Sequence, residues 1–442
     1  MSILSRSILC ALSIFCVVSA VGADNAINLQ KARELTLSRS STLRKASLAV
    51  SVASLAGQAQ GYAALPAITA SATGSLGYGG DVPSFQDGLG AKATLSASET
   101  VFNGGKTGDL VKKYGYATEA AQETLRATRL SLIGQADSAY FAVLEAAASV
   151  DAAASDLEAA KLRLNLAKTK AEVGALSKFD YLQSESDKAG YETALITAKK
   201  TLSSAQVKLA SLTGLPASTS LKPVDFSQYD SLRDKFSRLD EAAIESIATK
   251  YKNLAKANNP TLSTYSLASK QAKLAVNIAT KSYLPTLVAG YSHSVSRSGS
   301  SSETTSSGSL SLTASVSLDL WNTKNAVDQA ALLEAQANLD GDQSQTDLDL
   351  SVDQTVYEWL ASALSLQSSS KALEYAQSNY ENVLEKFKLS SATASDLSTA
   401  EALVSTDKKA LIAAQYSFLL NLSTLRGYAG IEDEAKLLEY VP

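Results

Sequence analysis

Few side chains in this sequence have the type and spacing that catalysis or metal binding requires. His293 is the only histidine, and the two cysteines, Cys10 and Cys16, both lie close to the N-terminus. A serine–histidine–aspartate triad or a zinc site needs several such groups held together. A lone imidazole in an alternating, strand-like segment is therefore predicted to be a polar structural residue and not a metal ligand.

Carboxylates are the remaining candidates for a charged site. Asp180 and Asp396 each lie three residues after a hydroxyl residue, Ser177 and Thr393. This spacing is typical of a helix N-terminus, where the hydroxyl caps the helix and the acid interacts with its dipole. A further cluster is expected to be a solvated helix face; it consists of Asp347, Asp349 and Asp353. A hydrolase on a helical scaffold would have only such carboxylates in its favour, so we predict neither an enzyme nor a bound cofactor or metal.

The first 23 residues have the pattern of a secretory signal. Arg6 precedes the apolar segment 8–21, and Ala23 ends a stretch of small residues, so cleavage is expected before Asp24. No later apolar run reaches about 18 residues, and no transmembrane helix is predicted. The formal charge is -4 and the pI about 5.4, with acidic and basic residues interspersed. This charge distribution argues against nucleic acid as a partner.

The remaining sequence contains an internal duplication. Leu65-Pro66 returns as Leu284-Pro285, and Phe102-Asn103 returns as Trp321-Asn322, both after 219 residues. Leu212-Thr213-Gly214 is matched by Leu425-Arg426-Gly427 with a small drift. We therefore predict a first structural repeat at 24–216, a linker at 217–239, a second repeat at 240–430 and a C-terminal tail at 431–442.

Each repeat contains two segments that alternate apolar and polar residues, which is typical of strands with one polar face. The clearest example is 310–320, where leucine, alanine and valine alternate with serine, threonine and aspartate. Glycine- and serine-rich stretches separate the partners of each pair. The predicted strands are 66–79, 88–102, 285–297 and 309–321.

Long helices follow the strands in both repeats. From Leu132 to Ala171, twelve apolar residues recur at alternating intervals of four and three, which indicates a left-handed coiled seam. The predicted long helices are 104–172 and 322–388, with trailing helices at 178–212 and 394–424 and leading helices at 31–60 and about 240–281. Each repeat thus has the order helix, two strands, very long helix, turn, long helix.

Four strands cannot close on themselves, and an open strand edge in lipid leaves backbone groups unpaired. Several copies are therefore expected to pool their strands, two giving eight and three giving twelve. The fold class predicted is mostly α with a membrane β-barrel portion, in which long coiled helices and four strands come from each protomer.

The whole mature chain resembles the TolC family of outer-membrane efflux proteins. The resemblance lies in the twofold repeat, the strand starts at Leu65-Pro66 and Tyr283-Leu284-Pro285, and the junction 101–106. It extends to Val173-Gly174-Ala175 followed by 180–183, which is similar to that family's hairpin tip. The resemblance implies a homotrimer in the cell outer membrane that extends into the periplasm as a tunnel. It also implies that the tunnel serves efflux or type I secretion with a periplasmic adaptor and an inner-membrane pump.

The resemblance further implies roles for particular residues. Asp180 and Asp396 are expected near the periplasmic aperture, in addition to capping their helices. The adaptor-contact tip is expected at Val173 and Gly174 and, in the second repeat, at Ser390. Apart from the resemblance, Phe102 and Trp321 close equivalent predicted strands, and their aromatic rings are expected to lie at the membrane interface or at a packed bend. His293, as a polar residue in a predicted strand, is expected to face a lumen or lie at a rim.

One alternative remains open at this stage. A periplasmic or surface coiled-coil protein that does not span the membrane would account for the long helices. It would not account for the two alternating strand pairs.

Overall fold

The computed structural model describes residues 26–76, 89–298 and 303–440. The predicted signal, residues 1–23, lies outside the described residues. Two short 3₁₀ helices are present, Phe226–Tyr229 and Lys281–Tyr283. The helices and strands are α1 (Leu29–Arg39), α2 (Ser41–Tyr62), β1 (Ala67–Leu76), β2 (Leu89–Phe102), α3 (Lys106–Glu172), α4 (Lys178–Thr213), α5 (Asp230–Phe236), α6 (Glu241–Asn258), α7 (Pro260–Thr280), β3 (Thr286–Ser298), β4 (Thr304–Ser315), α8 (Leu320–Lys388), α9 (Ala394–Tyr428) and α10 (Glu434–Leu438).

Both leading helices, predicted as continuous, are each divided in two. The divisions fall at Ser40 and Asn259, again 219 residues apart, and both residues have extended backbones. The Ser40 hydroxyl accepts the amide of Leu43, and the Asn259 side chain accepts the amides of Thr261 and Leu262. Because these side chains satisfy free N–H groups, a new helix starts at each position.

Two very long helices follow the strand pairs of the two repeats. Helices α3 and α8 contain 67 and 69 residues, about 100 Å each at 1.5 Å per residue. Each pairs with its trailing helix, α4 or α9, and α3 also contacts α9. Nine of the twelve predicted seam positions of α3 are buried, which confirms the coiled-seam interpretation; they are Leu132, Ala136, Ala139, Val143, Ala146, Ala153, Leu157, Ala160 and Ala167.

The four strands form one antiparallel sheet in the order β1-β2-β3-β4. Because side chains alternate along a strand, the pairing register sorts them onto two faces. One face, called the apolar face, carries mostly apolar residues, namely Ile68, Ala70, Ala72, Ala91, Ala93, Leu95, Ala97, Leu287, Ala289, Tyr291, Val295, Leu310, Leu312 and Ala314, together with Glu99, His293, Arg297, Thr304 and Ser306. The other face, called the hydroxyl face, carries Thr69, Ser71, Thr73, Ser75, Lys92, Thr94, Ser96, Ser98, Ser292, Ser294, Ser296, Thr305, Ser307, Ser309, Ser311 and Thr313, together with Val288.

The fourth strand differs from its predicted range, 309–321. It begins at Thr304, within the stretch that was expected to be a loop, and it ends at Ser315. The earlier start reflects pairing with β3, whose residues Arg297 and Ser296 lie opposite Thr304 and Thr305. Polar residues on both faces gave no alternating signal there, so the sequence pattern alone could not indicate the strand.

An aromatic core lies midway along the long helices. Trp359 of α8 contacts Phe236 at a ring-centre distance of 4.8 Å, Phe418 at 5.9 Å and Tyr251 at 6.5 Å. The predicted linker supplies Phe236 through α5, and the predicted tail supplies Leu437 through α10, whose carbonyl accepts the Tyr251 hydroxyl. The linker and tail are therefore parts of one buried core.

Candidate functional site

The two hairpin tips, the α3–α4 turn (173–177) and the α8–α9 turn (389–393), lie next to each other. Gly174 leaves α3 with φ +73°, and Ser390 leaves α8 with φ +59°. A left-handed residue after the last turn is the usual way to end a helix, and glycine adopts it without steric cost. Although the second tip lacks the glycine, Ser390 takes the same conformation. Val173 and Leu389, just before these residues, are 75% and 77% exposed.

Both predicted aspartates cap the helices that follow the tips. The Ser177 hydroxyl accepts the amide of Asp180 at 3.1 Å and donates to its carboxylate at 2.7 Å. Thr393 makes the same two contacts with Asp396, and its amide also donates to that carboxylate at 2.9 Å. The hydrogen bonds from the Thr393 amide and then its hydroxyl lower the pKa of Asp396 below its ordinary value.

A lysine that the sequence reasoning missed joins the two tips. Lys170, in the last turn of α3, donates to the carbonyl of Phe387 and, at 2.9 Å, to the Ser390 hydroxyl. Its ammonium also lies 4.6 Å from the centre of the Phe387 ring. The contact crosses from the first hairpin to the second and satisfies one of the last carbonyls of α8.

Two further polar residues on α3 face the second hairpin at intervals of seven. Asp156 accepts the Ser405 hydroxyl at 2.5 Å, and buried Arg163 lies 3.1 Å from Glu401. Together with Lys170 they form a ladder of three rungs, at 156, 163 and 170. The spacing of seven within an apolar repeat was the sequence signal that could have identified them.

The predicted aromatics occupy different elements, and one placement corrects the prediction. Phe102 ends β2 as expected, but Trp321 is the second residue of α8 and 81% exposed. Asp319 caps this helix by accepting the amide of Asn322 at 3.2 Å, so the chain turns helical before Trp321. The two residues nevertheless lie at the same, helix-side end of the sheet.

His293 lies in β3. In the pairing register it shares the apolar face with Leu95 and Tyr291 and does not lie on the hydroxyl face. Its ring nitrogen is 3.3 Å from the Ser306 hydroxyl, across the β3–β4 pair.

The carboxylate cluster of α8 is less solvated than predicted. Asp349 pairs with Lys256 at 2.8 Å, and Asp353 pairs with Lys252 at 3.0 Å, so two of its members join α8 to α6. Across residues 26–76, 89–298 and 303–440, no group of three or more histidine, cysteine or acidic side chains is placed to hold a metal ion. Within the same ranges, no helix combines the length and apolar character needed to cross a membrane.

Comparison with solved structures shows the same architecture in outer-membrane channels. The chain superimposes on CusC with a TM-score of 0.81 at 13% identity, covering 93% of this chain and 96% of that one. It superimposes on VceC from Vibrio cholerae with a TM-score of 0.76 at 16% identity, covering 92% and 97%. It superimposes on CmeC from Campylobacter jejuni with a TM-score of 0.77 at 17% identity, covering 93% of this chain and 88% of that one. These likenesses establish the TolC-like fold.

Sequence comparison gives the family. No curated protein matches the chain. The model of the outer membrane efflux protein family matches residues 32–215 and 252–431, one segment in each repeat and together most of the chain. The chain therefore belongs to the outer membrane efflux protein family.

Proposed function

We propose that this chain is one of three protomers of a passive outer-membrane efflux channel that extends through the periplasm and opens at its hairpin tips. The number three follows the family resemblance. The observation that carries the proposal is that both lateral edges of the molecule, in the sheet and in the helices, have the properties of an interface without a partner.

The sheet is two-faced and open. Among the described strands, β1 and β4 each pair on one side only, which leaves a row of backbone donors and acceptors on the other. Three copies joined edge to edge would satisfy these groups and supply twelve strands. The apolar face then suits lipid contact, and the hydroxyl face suits a water-filled lumen.

The helices at the edges carry exposed apolar stripes at coiled-coil spacing. In the half near the sheet, the helices lie in the row α2, α3, α7, α8; in the other half, the row is α4, α3, α9, α8. The stripe of α8 consists of Leu332, Leu339, Leu350, Tyr357, Leu364 and Tyr375, all exposed. The opposite edge carries Leu48, Val52, Leu55 and Tyr62 on α2, and Leu182, Ile196 and Val207 on α4.

The internal repeat shows how one copy would contact the next. Helix α7 of the second repeat packs on α3 of the first, and the equivalent contact for α2 would be α8 of a neighbouring copy. Leu267 of α7 is 7% exposed, whereas its counterpart 219 residues earlier, Leu48 of α2, is 59% exposed. A position that is buried within the chain in one repeat is thus uncovered in the other. A second copy would cover it.

The hairpin tips are the proposed contact for a periplasmic adaptor and, through it, an inner-membrane pump. Two exposed apolar side chains, Val173 and Leu389, flank two left-handed turns there. The tip near Phe179, which is also exposed, offers additional apolar surface. Phe102 and Trp321, at the helix-side end of the sheet, are proposed to lie at the membrane interface, where amphipathic rings are favoured.

Disulfide trapping between copies tests the proposal. In the chain, Lys270 of α7 lies over the Tyr116 ring of α3, and shifting both by the repeat offset of 219 residues places Ser51 of one copy near Ala335 of the next. The double variant Ser51→Cys, Ala335→Cys is expected to oxidise to a covalent trimer in detergent. The uncrosslinked protein should run as a trimer and conduct ions across a lipid bilayer.

A mismatched pair is the control. Ser51→Cys with Tyr375→Cys combines two exposed edge positions at different heights along the tube and should give no covalent trimer under oxidation. A protein that is monodisperse and monomeric without detergent would overturn the proposal. Release from membranes by high salt would instead support the non-spanning coiled-coil alternative, which leaves the two-faced sheet unexplained.

A further inference from the structure

A buried group of charges joins the two helical hairpins a few turns from the tips. Arg163 of α3 lies 2.7 Å from Asp187 of α4 and 3.1 Å from Glu401 of α9. The side chains of Arg163 and Glu401 are 1% and 4% exposed. These three residues, named the buried triad below, connect three helices that belong to both hairpins.

The two carboxylates of the buried triad are not equally stabilised. Asp187 accepts hydrogen bonds from Arg163, from Gln183 at 2.7 Å and from Ser398 at 3.0 Å. Neither carboxylate oxygen of Glu401 accepts a hydrogen bond from any described residue. Its contact with Arg163 is an ion pair without hydrogen-bond alignment, and the same guanidinium already serves Asp187. A buried carboxylate in that position is costly to ionise.

The groups around Glu401 add to this cost. The pKa of Glu401 is raised to about 7, chiefly because burial disfavours the ionised form; the positive charge of Arg163 opposes this shift, and the negative charges of Asp187 and Asp156 add to it. The half-exposed ammonium of Lys409 pairs with Asp156, at 3.7 Å, and not with Glu401. The remaining titratable groups coupled to Glu401 are two tyrosines, Tyr191 of α4 and Tyr380 of α8.

We propose that proton uptake by Glu401 tightens the contact between the α3–α4 hairpin and the α8–α9 hairpin, so that this end of the molecule is held more firmly in acid than in alkali. A neutral Glu401 leaves one guanidinium facing one ionised Asp187, which is a balanced pair. The ionised form leaves two carboxylates against one guanidinium in a dry contact. Separation of the hairpins would return the excess carboxylate to water.

The raised pKa of Glu401 determines how the stability of the contact between the hairpins changes with pH. Glu401 in the closed contact has its pKa raised above the ordinary value of 4.5 that it would regain once separated. The closed contact therefore binds the proton more tightly and gains stability as pH falls from about 7 toward 4.5. In that window, one proton changes the ratio of separated to closed forms by at most tenfold per pH unit.

Distances between spin labels can measure the separation of the two helical hairpins directly. Glu185→Cys on α4 and Glu381→Cys on α8 place labels at exposed positions of different hairpins. Labelled chain is diluted with unlabelled chain, so that only distances within one copy contribute. In the otherwise wild-type protein, the distribution of distances between the two labels is expected to become narrower when the pH is lowered from 8 to 5.

Two variants and one control decide the outcome. Glu401→Gln, which mimics the protonated form, should give the narrow distribution at both pH values. Asp187→Asn removes a neighbouring negative charge and should reduce the pH effect, which keeps the test decisive even if Glu401→Gln folds poorly. Asp407→Asn, on the same helix outside the buried triad, should behave as wild type. A pH response that survives in Glu401→Gln, or that is absent from the wild type, would overturn the proposal.

The proposal does not rest on the channel function. If the chain conducts, conductance at pH 5 should be lower than at pH 8, and Glu401→Gln should abolish the difference. A chain that did not conduct would contradict the proposed function, whereas the distance measurement would still decide the role of Glu401.

Discussion

The aromatic core around Trp359 and the hairpin end of the molecule are held together by different forces. At the core, the buried Trp359 of α8 contacts one ring from each of α9, α5 and α6, with ring centres no more than 6.5 Å apart. At the hairpin end, α3 meets the second hairpin through the three polar rungs at 156, 163 and 170 and through a smaller apolar cluster around Phe387 and Leu397. Apolar burial is insensitive to direction and pH, whereas each polar rung depends on alignment and charge.

This difference indicates which part of the molecule can move. Separation at the core would expose large aromatic surfaces at a high free-energy cost. Separation at the hairpin end would break a few polar contacts whose partners water can replace, and would expose only a smaller apolar cluster around Phe387 and Leu397. The core is therefore expected to act as the fixed part of the molecule, with the hairpins as the adjustable part.

The largest effect is expected at the core. Trp359→Ala should lower the free energy of unfolding by about 3–5 kcal/mol, because it leaves a cavity among Phe236, Phe418 and Tyr251. Thermal unfolding followed by circular dichroism in detergent can measure this. Glu381→Ala, an exposed change in the same helix, should alter stability by no more than about 0.5 kcal/mol. Equal effects of both substitutions would contradict the assignment of a fixed core.

A smaller effect is expected at the tip aspartates. The double variant Asp180→Ala, Asp396→Ala should reduce cation preference or cation block of conductance if these carboxylates line the aperture. The Debye length is about 30 Å at 0.01 M salt and about 3 Å at 1 M, so the difference should be clear at low salt and vanish at high salt.

The asparagine double variant separates charge from capping. Asp180→Asn with Asp396→Asn removes both charges and retains a hydrogen-bond acceptor at each cap. It should change cation preference as much as the alanine variant, with less loss of helix stability. Unaltered conductance and cation response in both double variants would leave capping as the only role.

The smallest effect should come from the left-handed residues that distinguish the two tips. Gly174→Ser should destabilise the first tip by about 1 kcal/mol, because a side chain disfavours the left-handed region. Ser390→Gly should stabilise the second tip by less than about 1 kcal/mol, since the hydrogen bond from Lys170 to the hydroxyl is lost. Ser390→Ala retains the strain without the hydroxyl and isolates that bond. Hydrogen exchange at the following helix turns can compare the three variants.

Most of the architecture could be predicted because period and repetition are global signals. The seam from Leu132 to Ala171 predicted α3, and the alternation near Leu310 predicted β4, although not its start. Boundaries were less predictable, because they depend on single capping contacts. Ser40 and Asn259 divide the leading helices, and Asp319 starts α8 before Trp321.

The candidate site was predicted only in part. Asp180 and Asp396 could be placed because an N-cap has a local sequence pattern. Lys170, Arg163 and Glu401 could not, since their importance arises from contacts between residues up to about 240 positions apart along the chain. The interval of seven in the sequence places residues 156, 163 and 170 on one side of α3. Their partners on the second hairpin could not be identified, because they depend on how the two repeats pack together.

The single-sided pairing of β1 and β4 has a consequence for how such a protein reaches its finished state. A lone copy entering hydrocarbon would carry unpaired amides and carbonyls with it, at a cost of several kcal/mol for each group. Insertion into the membrane would then occur together with association of the copies, so the amount of assembled channel should fall more steeply than the concentration of newly made chains. At a low chain concentration, unassembled monomers would remain at the membrane surface, and incomplete pores would not form in the membrane.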